Sequence, residues 1–170
     1  AGLRGGEIRI LGERVGLTGA ARIDASGSAG GGTVLVGGNF QGLGPEQNAQ
    51  ATYVAPDVII DASARRDGDG GTVIVWSDQS TRFLGHVTAR GGAQGGRGGF
   101  AEVSGRRFLD FRGTADLSAP FGLTGRLLLD PLDITISNAT TADVLGTGPA
   151  LDPFLPDPAG TGGTLQWATI

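Results

Sequence analysis

The chain has 170 residues, a net charge of −4, and neither cysteine nor methionine. This excludes a disulfide framework and a thiolate zinc site, argues against nonspecific nucleic-acid binding, and leaves enough chain for one domain with a substantial core. Thirty-three residues are glycine but 39% are apolar, too many for a disordered glycine-rich linker. The glycines lack the every-third spacing of collagen, so they read as punctuation between short strands.

All 13 cationic residues are arginine. No apolar run reaches the 18 or so residues a membrane-spanning helix needs, and no signal-peptide pattern opens the chain. The start at Ala1, without an initiator methionine, reads as a processed or excised fragment.

The dominant feature is an internal repeat. It begins with Gly5-Gly6-Glu7-Ile8-Arg9-Ile10 and returns as Gly31-Gly32-Thr33-Val34-Leu35-Val36. It returns again as Gly70-Gly71-Thr72-Val73-Ile74-Val75 and Gly98-Gly99-Phe100-Ala101-Glu102-Val103, then in degenerate form as Gly125-Arg126-Leu127-Leu128-Leu129. Successive copies are 26, 39, 28 and 26 residues apart. A second echo runs through Ala21-Arg22-Ile23-Asp24-Ala25-Ser26, Val58-Ile59-Ile60-Asp61-Ala62-Ser63, Gly85-His86-Val87-Thr88-Ala89-Arg90 and Ala115-Asp116-Leu117-Ser118-Ala119-Pro120. A third, weaker strand precedes it, marked by Leu17 with Gly19, Phe83 with Gly85 and Phe111 with Gly113.

Residues two apart in a strand share a face. Ile8 and Ile10, Val34 and Val36, Val73 and Val75, Ala101 and Val103, Leu127 and Leu129 therefore point inward. Arg9, Leu35, Ile74, Glu102 and Leu128 point outward. Stretches with helical period are absent and recurrence near 26 does not fit hairpins. The expected fold is all-β: a right-handed parallel β-helix, or solenoid, of about five coils of about 26–28 residues with three short strands per coil. No single coil buries its own apolar face, so stability must come from stacking.

The coils occupy residues 1–136. The 39-residue repeat carries a loop insertion near 37–51, a candidate binding feature beside its simpler reading as a tolerated surface loop. Residues 137–163 read as an irregular Pro/Gly/Thr-rich segment, broken by Asp152-Pro153 and Asp157-Pro158. Residues 164–170 read as the start of a further strand or coil. Leu35, Ile74 and Phe100 form an expected exposed outer stripe, and with Phe40 and Leu43 of the insertion they make up the candidate interaction surface.

From Ala49 to Ile136 the sequence resembles the filamentous-haemagglutinin type of two-partner secretion exoprotein, with residues 1–36 matching more loosely. The resemblance rests on Gln50-Ala51-Thr52-Tyr53-Val54, Val58-Ile59-Ile60-Asp61-Ala62-Ser63 and Gly70-Gly71-Thr72-Val73-Ile74-Val75-Trp76. It rests also on Thr81-Arg82-Phe83, Val87-Thr88-Ala89-Arg90-Gly91-Gly92, Gly98-Gly99-Phe100-Ala101-Glu102-Val103-Ser104-Gly105 and Leu127-Leu128-Leu129-Asp130-Pro131-Leu132-Asp133-Ile134-Thr135-Ile136. It implies a secreted bacterial cell-surface protein, exported through an outer-membrane β-barrel transporter, with roles in adhesion, biofilm or filament building. A host or neighbouring-cell receptor or glycan is the implied partner. No stretch matches the family's amino-terminal secretion signal, so the segment reads as shaft rather than secretion domain.

Two rivals stand beside a structural or adhesive shaft. One is a self-assembling filament subunit, because open solenoid ends invite stacking. The other is a polysaccharide-acting β-helix enzyme, a lyase or hydrolase, which needs carboxylates clustered in one groove. The outward acids are Asp24, Asp61, Glu102 and Asp116; Asp24 and Asp61 can align as a ladder, with Thr88 breaking it and Asp116 one place out of register. Solvated turn carboxylates are the simpler reading, and the expectation is no catalysis.

Asp67-Gly68-Asp69-Gly70-Gly71 occurs once, without the nonapeptide period of calcium repeats, and reads as a turn. His86 is the single histidine, so no transition-metal site and no cofactor is expected. The glycine run 91–99 lacks the Gly-Lys-Ser/Thr ending of a phosphate loop. Asn138-Ala139-Thr140 is a glycosylation sequon of low weight.

Overall fold

The computed structural model describes residues 3–131, 134–137 and 163–166. The first turn consists of β1 (Glu7–Ile10), β2 (Arg14–Leu17) and β3 (Arg22–Asp24); the second of β4 (Thr33–Val36), β5 (Ala51–Val54) and β6 (Ile59–Asp61). The third has β7 (Thr72–Ser77), β8 (Ser80–Phe83) and β9 (His86–Thr88); the fourth has β10 (Phe100–Gly105), β11 (Phe108–Phe111) and β12 (Thr114–Asp116). β13 (Arg126–Leu129), β14 (Ile134–Ser137) and β15 (Gly163–Gln166) follow.

Equivalent strands of successive turns pair in parallel, giving three sheets. Their orders are β1-β4-β7-β10-β13, β2-β5-β8-β11-β15-β14 and β3-β6-β9-β12. The chain is thus a parallel β-solenoid with three strands per turn. It has four complete turns and the opening of a fifth, against about five expected. β15, which overlaps the expected terminal strand at residues 164–166, lies between β11 and β14. The rest of the Pro/Gly/Thr-rich segment, the Asn138 sequon included, falls outside the described residues.

The register explains why alternation was needed. Ile8, Val34, Val73, Ala101 and Leu127 form one inward row; Ile10, Val36, Val75, Val103 and Leu129 form the next. Leu17, Val54, Phe83 and Phe111 stack in the second sheet, where the two phenylalanine rings lie 5.4 Å apart and nearly parallel at 9°. Ile23, Ile60, Val87 and Ala115 line the third. Each fully buried Val or Phe contributes about 1.5–3 kcal/mol.

Ala115 corrects the sequence alignment. It pairs with Val87, two residues from the expected Gly85, so Asp116 falls level with Thr88, Asp61 and Asp24.

The paired glycines serve two different contacts. A Cβ on the first of each pair would meet the carbonyl that follows the third strand of the turn it opens: Gly31 would stand 1.8 Å from Ala62 O and Gly98 1.8 Å from Leu117 O. A Cβ on the second would strike the turn below, Gly32 at 2.1 Å from Gly6 O and Gly71 at 2.0 Å from Gly32 O. The same corners are closed by backbone bonds from Gly32 N–H to Ala25 O and from Gly71 N–H to Ala62 O, at 2.9 and 2.7 Å. Turn height and corner closure therefore both need bare backbone at this dipeptide.

Candidate functional site: an insertion across the first sheet

Residues 37–50 replace the two- or three-residue corner found in the other complete turns. They turn outward because the backbone takes left-handed conformations at Gly37 (φ 74), Gly42 (φ 65) and Gly44 (φ 107), which glycine adopts without strain. A short 3-10 turn at Phe40–Gly42 is capped by Asn39, whose Oδ1 accepts from Phe40 N–H at 2.7 Å. Gln41 is the one non-glycine residue with positive φ among the described residues, at 53°.

From the second turn, the insertion reaches the other three. Glu46 Oε1 lies 3.6 Å from Arg9 Nη2 on the first turn, and Glu46 Oε2 accepts from Asn39 Nδ2 at 2.7 Å. On the third turn, Asp78 Oδ1 accepts from Asn48 Nδ2 at 3.2 Å and from Trp76 Nε1 at 3.1 Å. Gly42 lies so close on the Trp76 indole that a Cβ there would approach ring atom Cε2 to 2.5 Å. On the fourth turn, Gln41 N–H donates to both carboxylate oxygens of Glu102, at 3.3 and 3.1 Å. The Phe40 ring meets Phe100 edge-on with centroids 5.8 Å apart.

This covering overturns the expected exposed stripe. Leu35 and Ile74 do point outward from the first sheet, but they are 3% and 1% exposed. With Trp76 they form a second apolar cluster against which Phe100 packs. Glu102, expected on the surface, is fully buried. Phe40 and Leu43 remain exposed. An open groove of about 500 Å³ runs beside the insertion, floored by Leu35, Ile74 and Phe100 and ended by Glu7 and Arg126. The signal for burial was present in the outward residues themselves: Leu35, Ile74 and Trp76 are apolar where a bare face would be polar.

Burial pushes the Glu102 carboxyl above its ordinary range, and the charge of Asp130 adds to this; the bond from Gln41 N–H opposes it. No ion pair to Glu102 occurs among the described residues. Glu46 is held below its ordinary value, first by the Asn39 amide.

The other three outward acids, Asp24, Asp61 and Asp116, lie on the third sheet, where Asp61 and Asp116 line an open groove of about 460 Å³. Asp24, Asp61 and Asp116 each accept the backbone N–H two residues ahead, from Ser26, Ser63 and Ser118, at 2.9, 3.0 and 3.1 Å. This repeated Asp-x-Ser turn ends the third strand. Thr88 holds the same place in the third turn and donates to Asp61 Oδ1 at 3.0 Å. Arginines neutralise the row: Arg65 pairs with Asp24 and Asp61, and Arg90 with Asp116. Asp24 is held below its ordinary value, chiefly by the Ser26 hydroxyl. For Asp116, burial is the largest influence and opposes ionisation, but Ser118 and Arg90 outweigh it and the value falls.

His86 Nδ1 lies 2.7 Å from Thr114 Oγ1 on the surface. Asp67 and Asp69 accept the N–H of Gly68 and Arg97, at 2.9 and 2.7 Å, in keeping with a turn. Among the described residues, no group of three His, Asp or Glu side chains could hold a metal ion.

The fold has a solved counterpart. The chain is similar to the HMW1 secretion domain from Haemophilus influenzae, with 31% sequence identity and a TM-score of 0.60. The match covers 75% of this chain and 32% of that one, so the chain spans about a third of that domain's length. The likeness is therefore to a secretion domain, where sequence reading expected a shaft. No family model matches the sequence, and no curated protein does.

Proposed function

We propose that this chain is part of the exported portion of a bacterial cell-surface exoprotein, passed through an outer-membrane β-barrel transporter, and that it acts without catalysis as structural and adhesive surface. The observation that supports this best is the likeness to the HMW1 secretion domain over 75% of the chain, at 31% identity. The solenoid adds physical support. Its turns contact mainly their neighbours, so a chain delivered in extended form can fold turn upon turn.

The non-catalytic reading is supported by the third-sheet groove. Asp24, Asp61 and Asp116 are paired with arginine, and Asp24 and Asp116 are held in the ionised form. Glycoside hydrolysis needs one carboxyl kept protonated as general acid. Adhesion to a receptor or glycan belongs to the insertion and its groove in this reading, with Phe40 and Leu43 as the exposed apolar contacts.

The experiment is export of the protein carrying this chain in a Gram-negative host, with and without a cognate β-barrel transporter, read by protease accessibility on intact cells. Transporter-dependent surface exposure, and cell binding that weakens on Phe40→Ser with Leu43→Ser, is the expected result. Equal exposure without the transporter would sink the export reading; binding unchanged in the double variant would sink the placement of adhesion.

A further inference from the structure

We infer that the 37–50 insertion is a clasp over the apolar stripe of the first sheet, and that the protonation of Glu102 sets how tightly it closes. The geometry carries the inference. The insertion leaves the second turn and is fastened to the first, third and fourth at separate points: Arg9 with Glu46, Asp78 with Asn48, and Glu102 with Gln41. Of these, the Glu102 fastening is the farthest along the stack, and Glu102 itself is fully buried. It is made to the backbone of Gln41, held at φ 53, a conformation unfavourable for a residue with a side chain. Beneath it lie Leu35, Ile74 and Trp76, a stripe left almost wholly buried with the insertion in place.

The surroundings of Glu102 decide the sign. Its strand neighbours are apolar, Ile74 on β7 and Leu128 on β13. Gln41 on the insertion donates to it through its backbone N–H; Asp130, after β13, faces it with like charge. The closed clasp therefore favours the protonated carboxyl, whereas an open clasp returns Glu102 to water and its ordinary value. The preference for closure is complete below that ordinary value. It is lost as pH rises from there through the raised value of the closed state. Glu46 works in the opposite sense, because its bond from Asn39 needs the ionised form and fails only below the ordinary range. The clasp is thus most secure in mild acid and loosens towards neutral and alkaline pH.

The test is hydrogen exchange of the insertion amides in the full chain between pH 5 and pH 9, corrected for intrinsic exchange. Gln41 and Gly42 should lose protection by roughly tenfold for each unit by which closure raises Glu102, while the core amides of Val75 and Val103 stay unchanged. Glu102→Gln, neutral at every pH, should keep the insertion protected throughout. Asp130→Asn removes the facing charge and should move the transition to lower pH. Trp76 emission in a Trp167→Phe background should shift to the red along the same curve. Protection independent of pH in the native chain, or a transition that survives in Glu102→Gln, would overturn the inference. So would a transition that Asp130→Asn leaves in place.

Discussion

Asp24 and Asp61, one turn apart at the same register, share a single guanidinium: Arg65 Nη2 lies 3.1 Å from Asp24 Oδ2 and 3.5 Å from Asp61 Oδ2. Two like charges at one level of adjacent turns repel unless a cation stands between them. Arg65 is 55% exposed, so solvent screens most of this benefit. Arg65→Met should therefore destabilise by only about 0.5–1 kcal/mol, a fall in melting temperature of roughly 1–4 °C. The loss should shrink as salt is added. A salt-independent loss of several degrees would show that the arginine acts through packing.

The buried charges of the second sheet should behave otherwise. Asp110 is 2% exposed and sits between Arg82, at 3.3 Å, and Arg112, at 2.8 Å. Asp110→Ala leaves buried positive charge without its counter-ion and should cost about 3–5 kcal/mol. Urea denaturation at pH 7 measures it. A cost below that of Arg65→Met would refute the account.

Glycine at the corners gives a paired comparison. Gly31→Ala places a methyl group 1.8 Å from Ala62 O, and no side chain can move aside to relieve it. The loss should exceed about 2 kcal/mol or prevent folding. Gly6→Ala meets nothing within 4 Å and should be tolerated within about 0.5 kcal/mol. Circular dichroism melts of the two variants decide the matter.

Acid should weaken the third sheet's ladder. Asp24 and Asp116 both titrate below their ordinary value of 3.8 in the folded chain. Their contribution is therefore present above that value and disappears as pH falls through the folded one. The melting temperature should drop between pH 5 and pH 2, and Asp24→Asn with Asp116→Asn should flatten that drop. Were the double variant to show the native slope, other carboxyls would be responsible.

The solenoid was legible because its requirements are local and repeated. Val34, Val73 and Ala101 announce an inward row by alternation alone, and Gly31-Gly32 and Gly70-Gly71 mark the corners by composition. The burial of Leu35, Ile74 and Glu102 was not legible in the same way. It depends on where an insertion from the second turn comes to rest, as far as the fourth, and no periodicity encodes that. Asp116 was misplaced for a different reason. Aligning on alanine put it out of register, although the spacing from Phe83 to Gly85 and from Phe111 to Gly113 contains the correct offset. In the fourth turn Leu117, not an alanine, supplies the carbonyl that Gly125 N–H meets at 2.8 Å.

The insertion also bears on how the stack responds to force. A solenoid of turns bonded only to their neighbours should peel under tension one turn at a time, each step releasing one repeat of chain. Here a single loop is fastened to all four complete turns. Pulling at either end would load those fastenings together before an inner turn could come away, so the first rupture should be the largest and the later ones small and even. A solenoid built this way resists shear as a unit until the loop gives, and then lengthens gradually.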